Sequence, residues 1–362
     1  MPIGAVDLAV LLLYLLGAVG LGLWVGRGQR DLAGYLLGGR HLPWWAVLGS
    51  IVATETSSVT FLSVPGLAYA RDTGDLRFLQ LPLGYVLGRL AISVLLLPGY
   101  FRGELVSAYA LLRQRFGRTT QRAASLVFLA ARNLGDGLRL FLAGVVLEEL
   151  FGWSLAACVA VVGGATVVYA VFGGMRSIVW NDCAQLVVYV AGACAALAVI
   201  LERLPGGLAQ VLEYGRSTGK WQVFDTTLTL SDPYVLWAGV IGGAVLTLGT
   251  HGTDQMMVQR LLSAPSRAAA SRALVASGFV VLVQFALFLF LGVALACYDD
   301  ALRPGHAVAN DRALVAFVVD ELPRGVGLVG LLLAAVLAAS MSTLSSSLNA
   351  SAASVVEDWL GP

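Results

Sequence analysis

Residues 49–66 read GSIVATETSSVTFLSVPG. They lie within residues 43–70, a segment long enough to cross a bilayer, for which roughly 20 apolar residues suffice. Its middle is not apolar. Thr54, Glu55, Thr56, Ser57 and Ser58 put one carboxylate and four hydroxyls on consecutive positions. On a continuous helix they would point to every side, lipid included. Two resolutions are open. In one, the helix is interrupted and its unwound backbone lines a cavity, as where membrane proteins build binding sites near the bilayer midplane. In the other, the hydroxyls are small faces packed against neighbouring helices. Glu55 favours the first, because an ionisable side chain inside a membrane is costly and marks a site. The stretch therefore predicts a break near residues 53–58, with Glu55 turned away from lipid.

The rest of the chain supports a membrane setting. Of 362 residues, 58% are hydrophobic and 12% charged, and mean hydropathy is +0.81. A soluble domain carries about 25% charged residues. Apolar segments near residues 5–26, 43–70, 77–100, 123–147, 153–172, 182–201, 233–258, 273–297 and 326–354 suggest about nine spans. They are too long for barrel strands, and lipid obliges each to satisfy its own backbone, so they are read as helices. Connections 27–42, 101–122, 173–181 and 259–272 hold twelve arginines against Asp31 and Glu104. The alternate connections 71–77, 148–152, 202–232 and 298–325 hold eight Lys/Arg against thirteen Asp/Glu. Positive residues collect on the cytoplasmic side. This places the N-terminus outside a cell (inner or plasma) membrane and the C-terminus in the cytoplasm. The N-terminus has no basic residue ahead of its apolar run, so no signal-peptide n-region is expected. No linker divides the chain, which reads as one transmembrane domain over 1–362.

Composition excludes several functions. A net charge of +1 gives no footing for nucleic acid. Cys158, Cys183, Cys194 and Cys297 form no CxxC pair and read as buried thiols. No P-loop, HExxH or GxSxG motif is present, so no enzyme is expected. Inside the spans, Arg132 and Asp136 are four residues apart and Asp136 and Arg139 three apart, a spacing that lets them pair along one helix. They are read as a structural ion pair, and Arg89 as structural too. His251 reads as hydrogen-bonded packing.

A second polar run, SMSTLSSSLNASAAS at residues 340–354, continues the apolar run before it without a loop. Eight of its fifteen residues carry hydroxyls. Small-residue helix contacts would account for them. So would a monovalent cation, which takes hydroxyl and carbonyl oxygens without a full negative charge in lipid. Ser342 and Thr343 are adjacent, and the Ala339 carbonyl lies near their hydroxyls on a helix.

Residues 152–177 resemble the signature of the sodium:solute symporter family: Gly152, Leu155, an apolar stretch, Tyr169-Ala170, Gly173-Gly174-Met175 and Ser177. RSIVWNDCAQ, GTDQMMVQRLLSA and AASMSTLSSSLNASAASVVED resemble that family's loop into the sixth span, its seventh span and its ninth. The resemblance runs through nearly the whole chain in order. It implies an all-α integral membrane protein of LeuT type, an inverted-repeat (5+5) transporter fold. In that reading residues 1–42 hold an extra first helix and loop, 43–203 the first five-helix repeat, and 233–362 an incomplete second one. The pattern thus expects a C-terminally truncated form that does not transport alone.

The resemblance also implies a sodium site formed by the carbonyls of Ala53, Thr56 and Ala339 and the hydroxyls of Ser342 and Thr343. Asp182 matches a carboxylate on the inner sodium-exit route. Solute would sit beside the break, near Glu55, Ser57 and Ser58, with Gln80, Thr253, Asp254 and Gln255 as further candidates. The implied activity is sodium-coupled symport of a small organic solute (sugar, polyol, amino acid or carboxylate) by alternating access. Its partners would be that solute and the lipid bilayer, with Na+ as coupling ion and no organic cofactor. The alternative is a symporter-like sensing or interaction module, or a non-transporting fragment.

Overall fold

The computed structural model describes residues 4–27, 31–102, 105–229, 231–306, 308–323 and 325–360, and the regular elements among them are all helical. α1 (Ala5–Val25) and the short α2 (Leu32–Leu37) precede a split second span, α3 (Trp44–Glu55) and α4 (Ser58–Tyr69). α5 (Gln80–Leu95) runs into the one-turn α6 (Leu97–Tyr100), and α7 (Ala110–Phe116) leads to α8 (Arg118–Phe151). Then come α9 (Leu155–Arg203), α10 (Gly207–Ser217), α11 (Leu236–Gly252), α12 (Gln255–Leu262), α13 (Arg267–Leu302), α14 (Ala313–Asp320) and α15 (Leu328–Ser354). Among the described residues, five helices are long and apolar enough to cross a membrane, or six if the bent α3–α4 pair is one span.

The second span breaks where its polar run predicts. α3 ends at Glu55, and Thr56 and Ser57 are extended (φ/ψ −86/96° and −85/168°) before α4 starts at a 65° bend. The Ser57 hydroxyl caps α4 by accepting the Thr60 N–H at 3.3 Å, the usual role of serine at that position. Phe61 then anchors α4 edge-on against Tyr189 of α9 and Phe288 of α13, with ring centres 6.5 and 5.5 Å away.

Two expectations about connections need correction. Residues 173–181 are not a loop: α9 has 49 residues and is interrupted at Gly174 alone (φ 54°, ψ −162°). That length is about 73 Å of helix at ~1.5 Å per residue, enough for two crossings of a ~30 Å core. A conformation that essentially only glycine tolerates makes the bend in one residue. The expected seventh span is not continuous either. α11 ends at Gly252 and α12 begins at Gln255, with Asp254 capping it through the Met256 N–H at 2.9 Å.

α15 packs on α9 and α1, α11 packs on α5, and α13 packs on α3, α4 and α5. The connection after α10 is tied to the end of α4 by Lys220. Its buried ammonium donates to the carbonyls of Ala68, Ala70 and Gly74 at 2.9, 2.6 and 3.1 Å. Burial pushes this ammonium below the usual lysine range.

Candidate functional site

The break in the second span faces the hydroxyl-rich helix. The Thr343 hydroxyl donates to the Thr54 carbonyl at 3.1 Å and lies 3.4 Å from the Ala339 carbonyl. The Thr54 carbonyl is one that a continuous helix would have given to residue 58. The Ser342 hydroxyl donates to Asp182 Oδ1 at 2.6 Å. Ala53, Thr56, Ala339 and Ser342 are fully buried. The Thr56 hydroxyl donates to the Val52 carbonyl at 3.0 Å and accepts Gln284 Nε2–H from α13 at 2.6 Å. α3, α9, α13 and α15 thus bring hydroxyls, freed carbonyls and one carboxylate into a small buried volume.

Asp182 is fully buried and is also approached by the Ser50 hydroxyl at 2.5 Å and by the guanidinium of Arg260 at 3.3 Å. By sequence, Arg260 falls in the connection 259–272 and is expected among its exposed charges. Instead α12 carries it inward, fully buried, where it donates to Ser50, to the Met256 carbonyl (2.6 Å), to Thr54 (2.7 Å) and to Ser346. A buried cation persists because it is paired and hydrogen-bonded. The signal available in the sequence is its place between Met256-Met257-Val258 and Leu261-Leu262.

Glu55 is turned inward, its side chain 13% exposed. It binds Arg89 of α5, which also donates to the Ser277 hydroxyl at 2.6 Å, and His251 Nε2 stands 3.6 Å away. Arg89, read from the sequence as structural, thus has the carboxylate of the break as its partner. His251 is tied to Thr250 through Nδ1 at 2.9 Å.

The expected Arg132–Asp136 pair does not form. Arg132 reaches across to Asp254 at 2.7 Å, while Asp136 pairs with Arg139 at 3.1 Å and accepts the Ser347 hydroxyl. The break between α11 and α12 presents the Asp254 carboxylate opposite α8, and interhelical pairing wins over the neighbour on the same helix. Arg132, Arg139, Thr253 and Asp254 line a cavity of about 640 Å³, together with Tyr100, Tyr109 and Phe128.

The remaining candidates are dispersed. Ser58 is buried, and its hydroxyl has no hydrogen-bond partner among the described residues. Gln80 holds the connection between α10 and α11, donating to the carbonyls of Arg77 and Tyr234 at 3.1 and 2.8 Å and accepting the Asp225 N–H at 3.1 Å. Gln255 accepts the Ala108 N–H at 2.6 Å and donates to the Val106 carbonyl at 3.0 Å. Both amides are used at each end, whereas Thr253 and Asp254 face the cavity.

Comparison with known proteins bears on these observations. The family model for the sodium:solute symporter family matches residues 35–360. The human sodium/iodide cotransporter is 32% identical over 371 residues, covering 99% of this chain and 56% of the relative. Bos taurus sodium-coupled monocarboxylate transporter 2 is 28% identical over 349 residues, covering 94% of this chain and 56% of the relative. A solved structure of a Na+-coupled sialic acid symporter, in a substrate-bound outward-open state, superposes with a TM-score of 0.90 at 26% identity. That match covers 99% of this chain and 75% of the other. The chain spans a little over half the length of the curated relatives it matches.

Proposed function

The chain belongs to the sodium:solute symporter family, and from that premise we propose that it serves sodium-coupled symport of a small solute by alternating access. The observation that carries this reading is the Thr343 hydroxyl on a carbonyl freed by the α3–α4 break, with Ser342 on Asp182 one residue earlier. Sodium would take the carbonyls of Ala53, Thr56 and Ala339 and the hydroxyls of Ser342 and Thr343, and leave inward past Asp182. Each hydroxyl that now donates would turn a lone pair to the ion, and the break supplies carbonyl oxygens without a net charge. The fold is read as one extra helix, α1, followed by two inverted repeats. Breaks in the second and seventh spans are consistent with that reading, since corresponding helices of such repeats are interrupted. Counting each broken pair once and α9 twice, we read nine crossings among the described residues, and we take the N-terminus as outside from the arginine-rich connections.

The solute is assigned to the cavity beside Thr253 and Asp254. We read it as a small anion. Arg132 and Arg139 line the cavity and can turn N–H donors to an anion, while Asp254 and Asp136 answer their charges. Glu55 does not oppose an anion, because Arg89 answers its charge. The names of the relatives (iodide, monocarboxylate, sialic acid) agree with this class. A tenfold sodium gradient drives uptake by about 1.4 kcal/mol per ion; a 100 mV potential adds about 2.3 kcal/mol per net charge moved, and one sodium with one monovalent anion moves none.

The test is uptake by the full-length protein in vesicles with an inward sodium gradient. A panel of radiolabelled inorganic anions, carboxylates and acidic sugars would be compared with neutral sugars and amines. Accumulation of an anion that disappears when potassium replaces sodium is expected. Accumulation indifferent to sodium would overturn symport, and sodium-driven uptake of neutral solutes alone would overturn the anion assignment.

A further inference from the structure

Asp7 belongs to none of these clusters, yet it is completely buried in the first turn of α1. Its Oδ2 accepts N–H groups from Gly325 at 2.7 Å and Gly4 at 3.2 Å, and its Oδ1 accepts those of Gly327 at 2.9 Å and Gly330 at 3.4 Å. Three of these donors come from the turn that opens α15. The first N–H groups of a helix have no partner within it, and their partial positive charge favours a carboxylate. The two backbones also touch: a Cβ at Gly330 would stand 2.1 Å from the Asp7 carbonyl, and one at Gly4 would stand 2.6 Å from Gly325 Cα.

Farther down, α1 holds the middle of α15 as well. The Tyr14 hydroxyl donates to the Met341 sulfur at 3.7 Å and accepts Gln185 Nε2–H of α9 at 3.2 Å. The Tyr169 hydroxyl, also from α9, donates to the Met341 carbonyl at 3.1 Å. Met341 immediately precedes Ser342.

We propose that Asp7 is a positioning residue for the cation site, fixing where α15 starts along its axis and so the height at which Ala339, Ser342 and Thr343 meet the α3 break. This rests on the reading of those residues as sodium ligands. Gly330 and Ser342 are twelve residues apart, about 18 Å of helix, so Asp7 acts through α15 and never touches the ion. A slip of one residue would shift the hydroxyls by about 1.5 Å, whereas ligand distances tolerate only about 0.2 Å. The first helix is thereby a splint joining α9 and α15.

The test is a sodium titration of the full-length protein, purified in detergent, read as the sodium-dependent rise in its melting midpoint. Uptake kinetics would be measured beside it. Asp7→Ala should raise the half-saturating sodium concentration about tenfold in both readouts. Maximal uptake per protein at saturating sodium should stay within about twofold, whereas general misfolding would lower the maximum instead. Asp7→Asn, which keeps one acceptor oxygen, should fall between. Gly330→Ala, which wedges the same contact from the other side, should reproduce the shift if Asp7→Ala cannot be purified. Variants that titrate at the wild-type concentration would overturn the positioning role. A wild-type protein whose melting ignores sodium would instead overturn the sodium site itself, and this inference with it.

Discussion

Glu55 shows what a single residue in this sequence does and does not disclose. Its position in a polar run was enough to place it at a break and away from lipid. Its partner was not legible, because Arg89 lies 34 positions on and nothing local links the two. The pair predicts a specific pattern of stability. Glu55→Gln leaves the fully buried Arg89 without its counter-charge, and breaking a buried pair in this way costs about 3–5 kcal/mol. Replacing both, Glu55→Gln with Arg89→Gln, removes the uncompensated charge and should recover part of that loss. Melting midpoints of the two single variants and the double variant, in the same detergent, would show it. Equal losses in Glu55→Gln and the double variant would mean the pair is not coupled.

Arg132 was misassigned for the same reason. Spacing along α8 offers Asp136, but the chain folds Asp254 to within 2.7 Å. If the cavity takes an anion, Arg132→Ala should raise the half-saturating solute concentration about tenfold and leave the half-saturating sodium concentration unchanged. Solute and sodium titrations of uptake by the same variant separate the two. An unchanged solute titration would remove Arg132 from the binding surface.

At the scale of elements, the two breaks were unequally visible. The α3–α4 break is written in five consecutive polar residues, whose chemistry no continuous lipid-facing helix accommodates. The α11–α12 break lies at Thr253 and Asp254, in a stretch where polar residues are spaced among glycines rather than joined in one run, and a lone capping aspartate resembles any buried polar residue until its N–H partner is seen. The turn in α9 was legible as a boundary and wrong in its length, since hydropathy falls over several residues although one glycine makes the bend. Gly174→Val should therefore destabilise the protein. The φ of 54° with ψ of −162° is a conformation costing a residue with a Cβ about 1–3 kcal/mol. A lower melting midpoint than that of a Gly164→Val control, a position with open space around it, would confirm the cost. Equal midpoints would show that the turn relaxes.

Across the whole molecule, composition and the family motifs disclosed a helical membrane bundle and the pairing of the second span with the ninth. Neither reveals that α12 delivers Arg260 to Asp182 of α9, because that contact joins two spans distant in sequence. The site gathers α3, α9, α12 and α15 around one carboxylate, one guanidinium and a set of hydroxyls. Its central claim is that sodium binds between the α3 break and α15. The most direct measurement is equilibrium binding of radiolabelled sodium to the purified full-length protein, without solute, for wild type, Ser342→Ala and Thr343→Ala. The account predicts saturable binding by wild type, displaced by unlabelled sodium and not by potassium, and weakened about tenfold or more in each variant. Wild-type binding that is absent, or that persists unchanged in both variants, would contradict it.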